Sequence, residues 1–290
     1  MSVFHNGVTY RAADAHAHIY PGKIAEKATG SVGEFYHIPM QNVGLPHILA
    51  QRGAEAGIDR FLVCSVATKV EQVRSINQFI QEKCQKYPQF IGLAAWHQDV
   101  ADIPGEMDDI QRRGLRGIKL HPVYQGVDFD DVRYLRILER AGELGLIIVT
   151  HAGDDIGFPG VVRCSPAMIA RACRQVGRVP LVLAHMGGWK NWDEVMELLS
   201  DTGVYLDTAF SLGCITPLTP DAYTPQELQL LDAAVFCNMV RRFGSERVLF
   251  GTDSPWTDQA ASVAQIEALP LTRAEKDEIL GGNAQRLLGL

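Results

Sequence analysis

Eight short apolar runs, each closing on a polar or small residue and separated from the next by a segment of helical periodicity, predict an α/β fold, a single (β/α)8 barrel. The runs are Arg11–His18, Asp59–Val66, Gln89–His97, Leu115–His121, Leu146–His151, Pro180–His185, Gly203–Thr208 and Arg247–Asp253. The 290 residues suit this reading, because such barrels often run to about 250 residues or more as one unit.

The segments between the runs carry helix signals. Gly126–Gly145 (GVDFDDVRYLRILERAGELG) has acidic residues early, apolar residues at three and four spacing, and a terminal glycine; Gly57 and Gly114 mark similar endings. Thr224–Gly244 reads as one helix, with Thr224 as N-cap, Pro225 at the first helical position, and Arg241 and Arg242 at the other end. Thr272–Leu290 reads as a closing helix. No repeat, low-complexity tract or charged linker interrupts the pattern, so residues 1–290 are expected to form one domain. Two irregular stretches exceed what a connection needs, Thr29–Leu45 after the first strand and Leu212–Tyr223 after the seventh, and loops of this kind often cover active sites.

Composition narrows the function classes. With 47% hydrophobic and 21% charged residues the chain can bury a substantial core. A formal charge of −7 gives no basic footprint for nucleic acid or an anionic membrane, so a small-molecule partner is expected. The six cysteines, Cys64, Cys84, Cys164, Cys173, Cys214 and Cys237, show neither C-x-x-C spacing nor disulfide-module density, and are expected to be reduced and mostly buried. The amino terminus lacks a basic region followed by an apolar run, and no stretch has the length of a membrane span, so cytoplasmic residence is the expectation.

The chemistry gathers at strand ends. The first run ends D-A-H-A-H, which puts His16 and His18 on one side of a strand, and neutral imidazole is a favoured ligand for zinc and its first-row neighbours. His151 (LIIVTHAG) and His185 (PLVLAHMGG) each follow an apolar strand and precede a small-residue turn, and Asp253 (RVLFGTDSPW) ends the eighth run. Taken singly, each is more often a core histidine or a capping aspartate. Their joint arrival at the carboxyl ends of strands one, five, six and eight, in a chain with nine histidines, points to a metal site at a barrel mouth.

Through D-A-H-A-H, G-I-K-L-H-P, T-H-A-G, A-H-M-G-G and G-T-D-S-P-W, the sequence resembles the amidohydrolase superfamily, specifically its amidohydrolase-2 group of TIM-barrel metalloenzymes, over nearly its whole length. The resemblance implies that His16, His18, His151 and Asp253 ligate one divalent metal, usually zinc, with His185 beside the bound water. In binuclear relatives the histidine after strand six binds a second ion and a carboxylate or carboxylated lysine bridges the pair, so two ions remain an alternative. The resemblance also implies a homodimer.

Lys119 and His121 share a strand face and are candidate substrate-binding residues; Lys119 also has readings as a carboxylated bridge or an acid-paired structural lysine, and His121 as a plain strand-terminal histidine. His97 is a secondary candidate. Asp14 and Asp207 are candidate supports for ligands, and Tyr124, Trp189, Phe210 and Trp256 are candidate pocket aromatics or packing residues. The expected reaction is hydrolysis of an ester, lactone or amide by metal-activated water, with Asp253 taking the proton and His185 polarising the carbonyl. The competing expectation is nonoxidative decarboxylation of an aromatic or enoic acid, in which Lys119 and Arg163 would meet the carboxylate. A noncatalytic metal-binding barrel is the third; against it, structural zinc sites are usually closed by four protein ligands, commonly including cysteine, whereas this constellation at a barrel mouth can leave a water position open.

Overall fold

The computed structural model describes residues 3–5, 8–10 and 12–289. Arg11, at the head of the first apolar run, and Leu290, at the end of the closing segment, lie outside the described residues. After a two-stranded antiparallel hairpin, Val3–His5 with Val8–Tyr10, all eight expected strands are present: β1 (Ala12–His18), β2 (Ile58–Cys64), β3 (Phe90–Ala95), β4 (Gly117–Leu120), β5 (Ile147–Thr150), β6 (Leu181–Leu183), β7 (Tyr205–Asp207) and β8 (Val248–Leu249). Hydrogen-bonded neighbours follow chain order from β1 to β8. The register is in step from β3 to β7, with Lys119 opposite Ala95 and Val149, and Val149 opposite Val182. The N–H of Ala15 donates to Phe250 O (2.7 Å) and that of His18 to Ser254 O (2.7 Å), joining the first strand to the last as a (β/α)8 barrel requires.

Most strands are shorter than their apolar runs. His97, His121, His151, His185, Thr208 and Asp253 all fall beyond the last ladder residue. For His185 and Asp253 the cause is visible in the backbone: both have positive φ (59° and 57°), a conformation a β ladder does not accommodate.

By backbone proximity the chain falls into two compact units, Met1–Phe61 with Thr208–Leu290, and Leu62–Asp207. The core of the first includes Ile19, Leu49, Phe236, Phe243, Phe250 and Ile279, and its helix Pro46–Glu55 packs on helix Gln259–Ala268. The core of the second includes Leu93, Trp96, Met107, Ile118, Phe129 and Tyr134. In it, helix Val132–Leu144 buries Tyr134, Ile137, Leu138 and Ala141, the one-face spacing read from the sequence; Asp131 caps it by accepting the Arg133 N–H, and Gly145 ends it in the left-handed region.

Three sequence expectations need correction. Thr29–Phe35 is not loop but part of helix Ala25–Phe35, so irregular chain begins only at Tyr36. The expected single helix Thr224–Gly244 is two, Pro225–Leu228 and Ala233–Phe243, because Leu230 and Leu231 donate their N–H groups sideways, to Gly213 O (2.9 Å) and Ser211 O (3.0 Å). Thr224 does cap the first, in a reciprocal box with Glu227, while Asp232 caps the second. The closing segment is also broken, with a π-helical turn at Glu278–Gly282 between Arg273–Asp277 and Asn283–Leu288.

All six cysteines are free; Cys64, Cys164 and Cys237 are buried and Cys214 is exposed. Burial pushes the Cys84 thiol up to about 11 and raises that of Cys164 further. Among the described residues no helix is long and apolar enough to cross a membrane.

Candidate metal centre

Strand period two brings His16 and His18 to one face of β1, and the turn after β8 brings Asp253 to them. His16 Nε2 and His18 Nε2 are 3.2 Å apart, and they lie 3.5 Å and 3.1 Å from Asp253 Oδ1. The imidazole planes are tilted by 54°, so their in-plane lone pairs can converge. Three ligands of one tetrahedral zinc, each about 2.0–2.1 Å from the ion, stand roughly 3.3 Å from one another, and this triangle has those edges. The donor set of two imidazoles and a carboxylate therefore fits a first-row divalent ion in both chemistry and spacing.

Backbone bonds hold the triangle. The Asp253 N–H donates to His16 O (2.8 Å), locking the turn to β1. Asp14, fully buried, accepts the N–H groups of both His16 and Thr252 through Oδ1 (3.0 Å each), and the Thr252 hydroxyl through Oδ2 (2.6 Å). Asp14 thus holds the main chain beside the candidate ligands His16 and Asp253.

A second cluster belongs to the other unit. His185 Nε2 lies 3.1 Å from His151 Nδ1, with the rings near-perpendicular at 64°, and His151 Nε2 lies 3.1 Å from Asp154 O. Asp207 Oδ1 accepts the His185 N–H (3.0 Å), which stabilises the left-handed turn at the end of β6 and gives this aspartate the supporting role considered for it. The glycine of T-H-A-G is required here. Gly153 has φ +86°, and a Cβ on it would collide with the backbone of Gly188 and Trp189. That close approach lets Trp189 N–H donate to Ala152 O (2.8 Å) and Asp154 N–H to Trp189 O (2.9 Å), tying the His151 turn to the His185 turn.

His121 stacks between Tyr124 (centroids 3.7 Å, planes 11° apart) and His151 (4.4 Å, 11°). With Asp155 it forms a His121–His151–Asp155 group compact enough in distance for an ion. Geometry argues otherwise for the two rings as they stand, because imidazole binds metal in its own plane and parallel stacked planes do not meet at one ion. Lys119 is buried on β4. Arg163 pairs with Asp128 (2.8 Å) rather than standing as a spare cation. His97 accepts the Asp99 N–H (3.3 Å), a structural use. Trp189 is buried, and its Nε1 has no hydrogen-bond partner among the described residues.

Several contributors were missed from sequence. Asp155 carries no motif, and Thr252, though it lies within G-T-D-S-P-W, was not singled out. Gln125 donates to Ala67 O (3.1 Å) and Trp96 O (2.6 Å), and accepts the His121 N–H (3.3 Å) and the Tyr134 hydroxyl, fixing the backbone from which His121 projects. Its place four residues after His121 was the only local signal.

The fold is a (β/α)8 barrel that carries candidate metal-binding clusters of histidine and carboxylate. The chain belongs to the amidohydrolase family, whose model matches residues 13–290. No curated protein sequence matches it. Among solved structures it is similar to a TIM-barrel protein of Bordetella bronchiseptica without assigned function (TM-score 0.73, 19% identity, 96% of this chain and 98% of that one). It is similar also to a protein of Pseudomonas putida described as a candidate 2-pyrone-4,6-dicarboxylic acid hydrolase (0.65, 20%, 96% and 97%). A third is a dihydroxybenzoic acid decarboxylase of Polaromonas sp. JS666 with bound manganese and the inhibitor 2-nitroresorcinol (0.66, 15%, 97% and 97%). At these identities the likeness establishes the fold alone.

Proposed function

We propose that this protein is a metal-dependent hydrolase acting on an ester, lactone or amide bond of a small molecule. The observation that carries this reading is the His16–His18–Asp253 triangle, whose edges of 3.1–3.5 Å suit one tetrahedral ion and which presents a carboxylate beside it. His151 is proposed as a further ligand on the family's order of motifs, and zinc as the ion, because two imidazoles and a carboxylate are one of the catalytic zinc donor sets. A divalent ion held there would lower the pKa of its bound water toward neutrality. Asp253 engages the histidines through Oδ1, and its carboxylate is the group proposed to take the proton from water and return it to the leaving group. His185, with its main chain fixed by Asp207, is proposed to polarise the scissile carbonyl. Lys119 and His121 are proposed substrate contacts.

A nonoxidative decarboxylase is the second reading, favoured by the burial of Lys119 on a barrel strand and by the likeness to the Polaromonas enzyme. The pairing of Arg163 with Asp128 removes one cation on which it relied. Metal analysis and product analysis together test both. Plasma mass spectrometry is expected to find about one ion per chain, lost in His16→Ala, His151→Ala and Asp253→Asn but kept in His185→Ala. About two ions, falling by one in His185→Ala, would instead make the centre binuclear with Lys119 as a candidate bridge. Metal content unchanged in the His16 and His151 variants would overturn the site. Screening lactones and aryl esters against hydroxybenzoic acids then separates the reactions, since only decarboxylation releases carbon dioxide.

A further inference from the structure

The turn that carries Asp253 also walls a cavity. Trp256 donates its backbone N–H to Asp253 O (2.9 Å), and Gly251 and Trp256, on either side of Asp253, line a cavity of about 220 Å3. Further walls come from the two irregular loops, through Ile38 and Gln41 in the first and Leu212 and Ile215 in the second, from Phe210 just before the second, and from helix Gln259–Ala268. These loops are bonded to each other: Leu218 N–H donates to His37 O (2.7 Å) and the Tyr223 hydroxyl to Tyr36 O (2.8 Å). The Tyr36 ring meets Trp256 edge-on at 5.1 Å. The volume is below the roughly 300–1,000 Å3 of pockets that enclose a whole drug-sized ligand, so the cavity takes one end of a molecule.

Two properties of the wall state which end. No lysine, arginine or histidine lines it, and its one ionisable side chain of fixed charge is Asp258, an anion whose Oδ1 caps a helix by accepting the Ala261 N–H (3.0 Å). A carboxylate entering here would be desolvated beside another carboxylate with no counter-charge. Four of the five wall hydroxyls, all but that of Thr216, donate to main-chain carbonyls. Ser211 donates to Ala209 O (2.8 Å), Thr208 to Gly251 O (3.1 Å), Ser262 to Asp258 O (2.9 Å) and Thr257 to Thr252 O. Each hydroxyl has a single proton, so what these four offer a ligand is acceptor lone pairs. Gln265 also directs its amide N–H toward Leu212 O (3.4 Å).

We propose that this cavity receives an uncharged, hydrogen-bond-donating end of the substrate, such as a hydroxyl or amide N–H on a small apolar frame, while the reacting bond lies at Asp253. This assignment rests on the metal-dependent hydrolase reading for its second half alone; the selectivity of the cavity is a property of its own walls.

Benzamide and benzoate, equal in shape and different in charge and donors, test it by calorimetry on the full chain. Benzamide is expected to bind at least about ten-fold more tightly. Ala261→Phe, at an exposed helix position on the cavity wall, is expected to abolish benzamide binding with metal content unchanged. Gln265→Lys, also exposed, puts a cation on the wall and is expected to raise benzoate affinity about ten-fold. Equal or tighter benzoate binding to the parent chain, no binding of either probe, or benzamide binding undiminished in Ala261→Phe would overturn the proposal, as would a Gln265→Lys chain no better for benzoate. Preference for benzamide that survives chelation, in a chain whose metal content proves independent of His16, would support the cavity assignment while the hydrolase reading fell.

Discussion

Asp14 and Thr252 hold the main chain beside the candidate ligands His16 and Asp253. The carboxylate is fully buried and both of its oxygens are in use, one on two main-chain N–H groups and the other on the Thr252 hydroxyl, which in turn accepts the Ser254 N–H (3.1 Å). Thr252→Val keeps the shape and removes the hydroxyl, leaving a buried carboxylate oxygen without that donor and the Ser254 N–H without its acceptor. The expected cost is about 1–3 kcal/mol in urea unfolding, with weaker metal retention because the turn bearing Asp253 is no longer held from below. Ser at the same position should restore most of both. A valine variant as stable and as metal-replete as the parent would show that the Asp14 bond merely satisfies polar groups. A supporting role for Asp14 was legible in D-A-H-A-H, but its bond to Thr252 was not, since the two residues lie 238 positions apart and G-T-D-S-P-W does not say what its threonine meets. His16 and His18 were legible for the opposite reason: their convergence follows from the two-residue period of a single strand.

At the scale of elements, what could be read was whatever is local. The helix Val132–Leu144 announced its acidic start, its apolar stripe and its final glycine, and the structure has each. The long segment after Thr224 misled because Leu228–Leu231 is apolar enough to continue a helix, and only pairing with Ser211–Ile215, distant in sequence, turns it into extended chain. The strand ends were read too long for a related reason, as positive φ at His185 and Asp253 leaves no mark in apolar periodicity. The cap of helix Val132–Leu144 makes a quantitative test. The Arg133 guanidinium and the Arg133 N–H hold the Asp131 carboxyl at about 2, below its ordinary value. A depressed carboxyl stabilises the fold above its unfolded pKa of about 3.9 and loses that contribution as pH falls toward its folded value. Asp131→Ala is therefore expected to cost about 1 kcal/mol near pH 7, with the gap to the parent narrowing below about pH 4. A gap that stays constant down to about pH 3 would mean the residue acts without its charge.

For the molecule as a whole, the three groups of the first cluster join the beginning of the chain to its end, since His16 and His18 lie on β1 and Asp253 follows β8. An ion bound there ligates residues that the unfolded chain leaves far apart, so it binds the folded state almost exclusively, and its binding energy becomes folding energy. With free ion at about a thousand times its dissociation constant the linkage is worth about 4 kcal/mol. For a chain of this size that corresponds to a rise in Tm on the order of 10 °C over the chelated protein. Because a pair of ligands one strand apart would close no long loop, the effect should depend on Asp253 as much as on either histidine. Asp253→Asn and His16→Ala are each expected to remove most of the metal-dependent shift, while His185→Ala, which alters the second cluster, should retain it. Thermal unfolding of the four proteins with zinc and after chelation reads this directly. A shift that survives in both Asp253→Asn and His16→Ala would place the stabilising ion elsewhere, and no shift in the parent would remove the metal from the first cluster altogether.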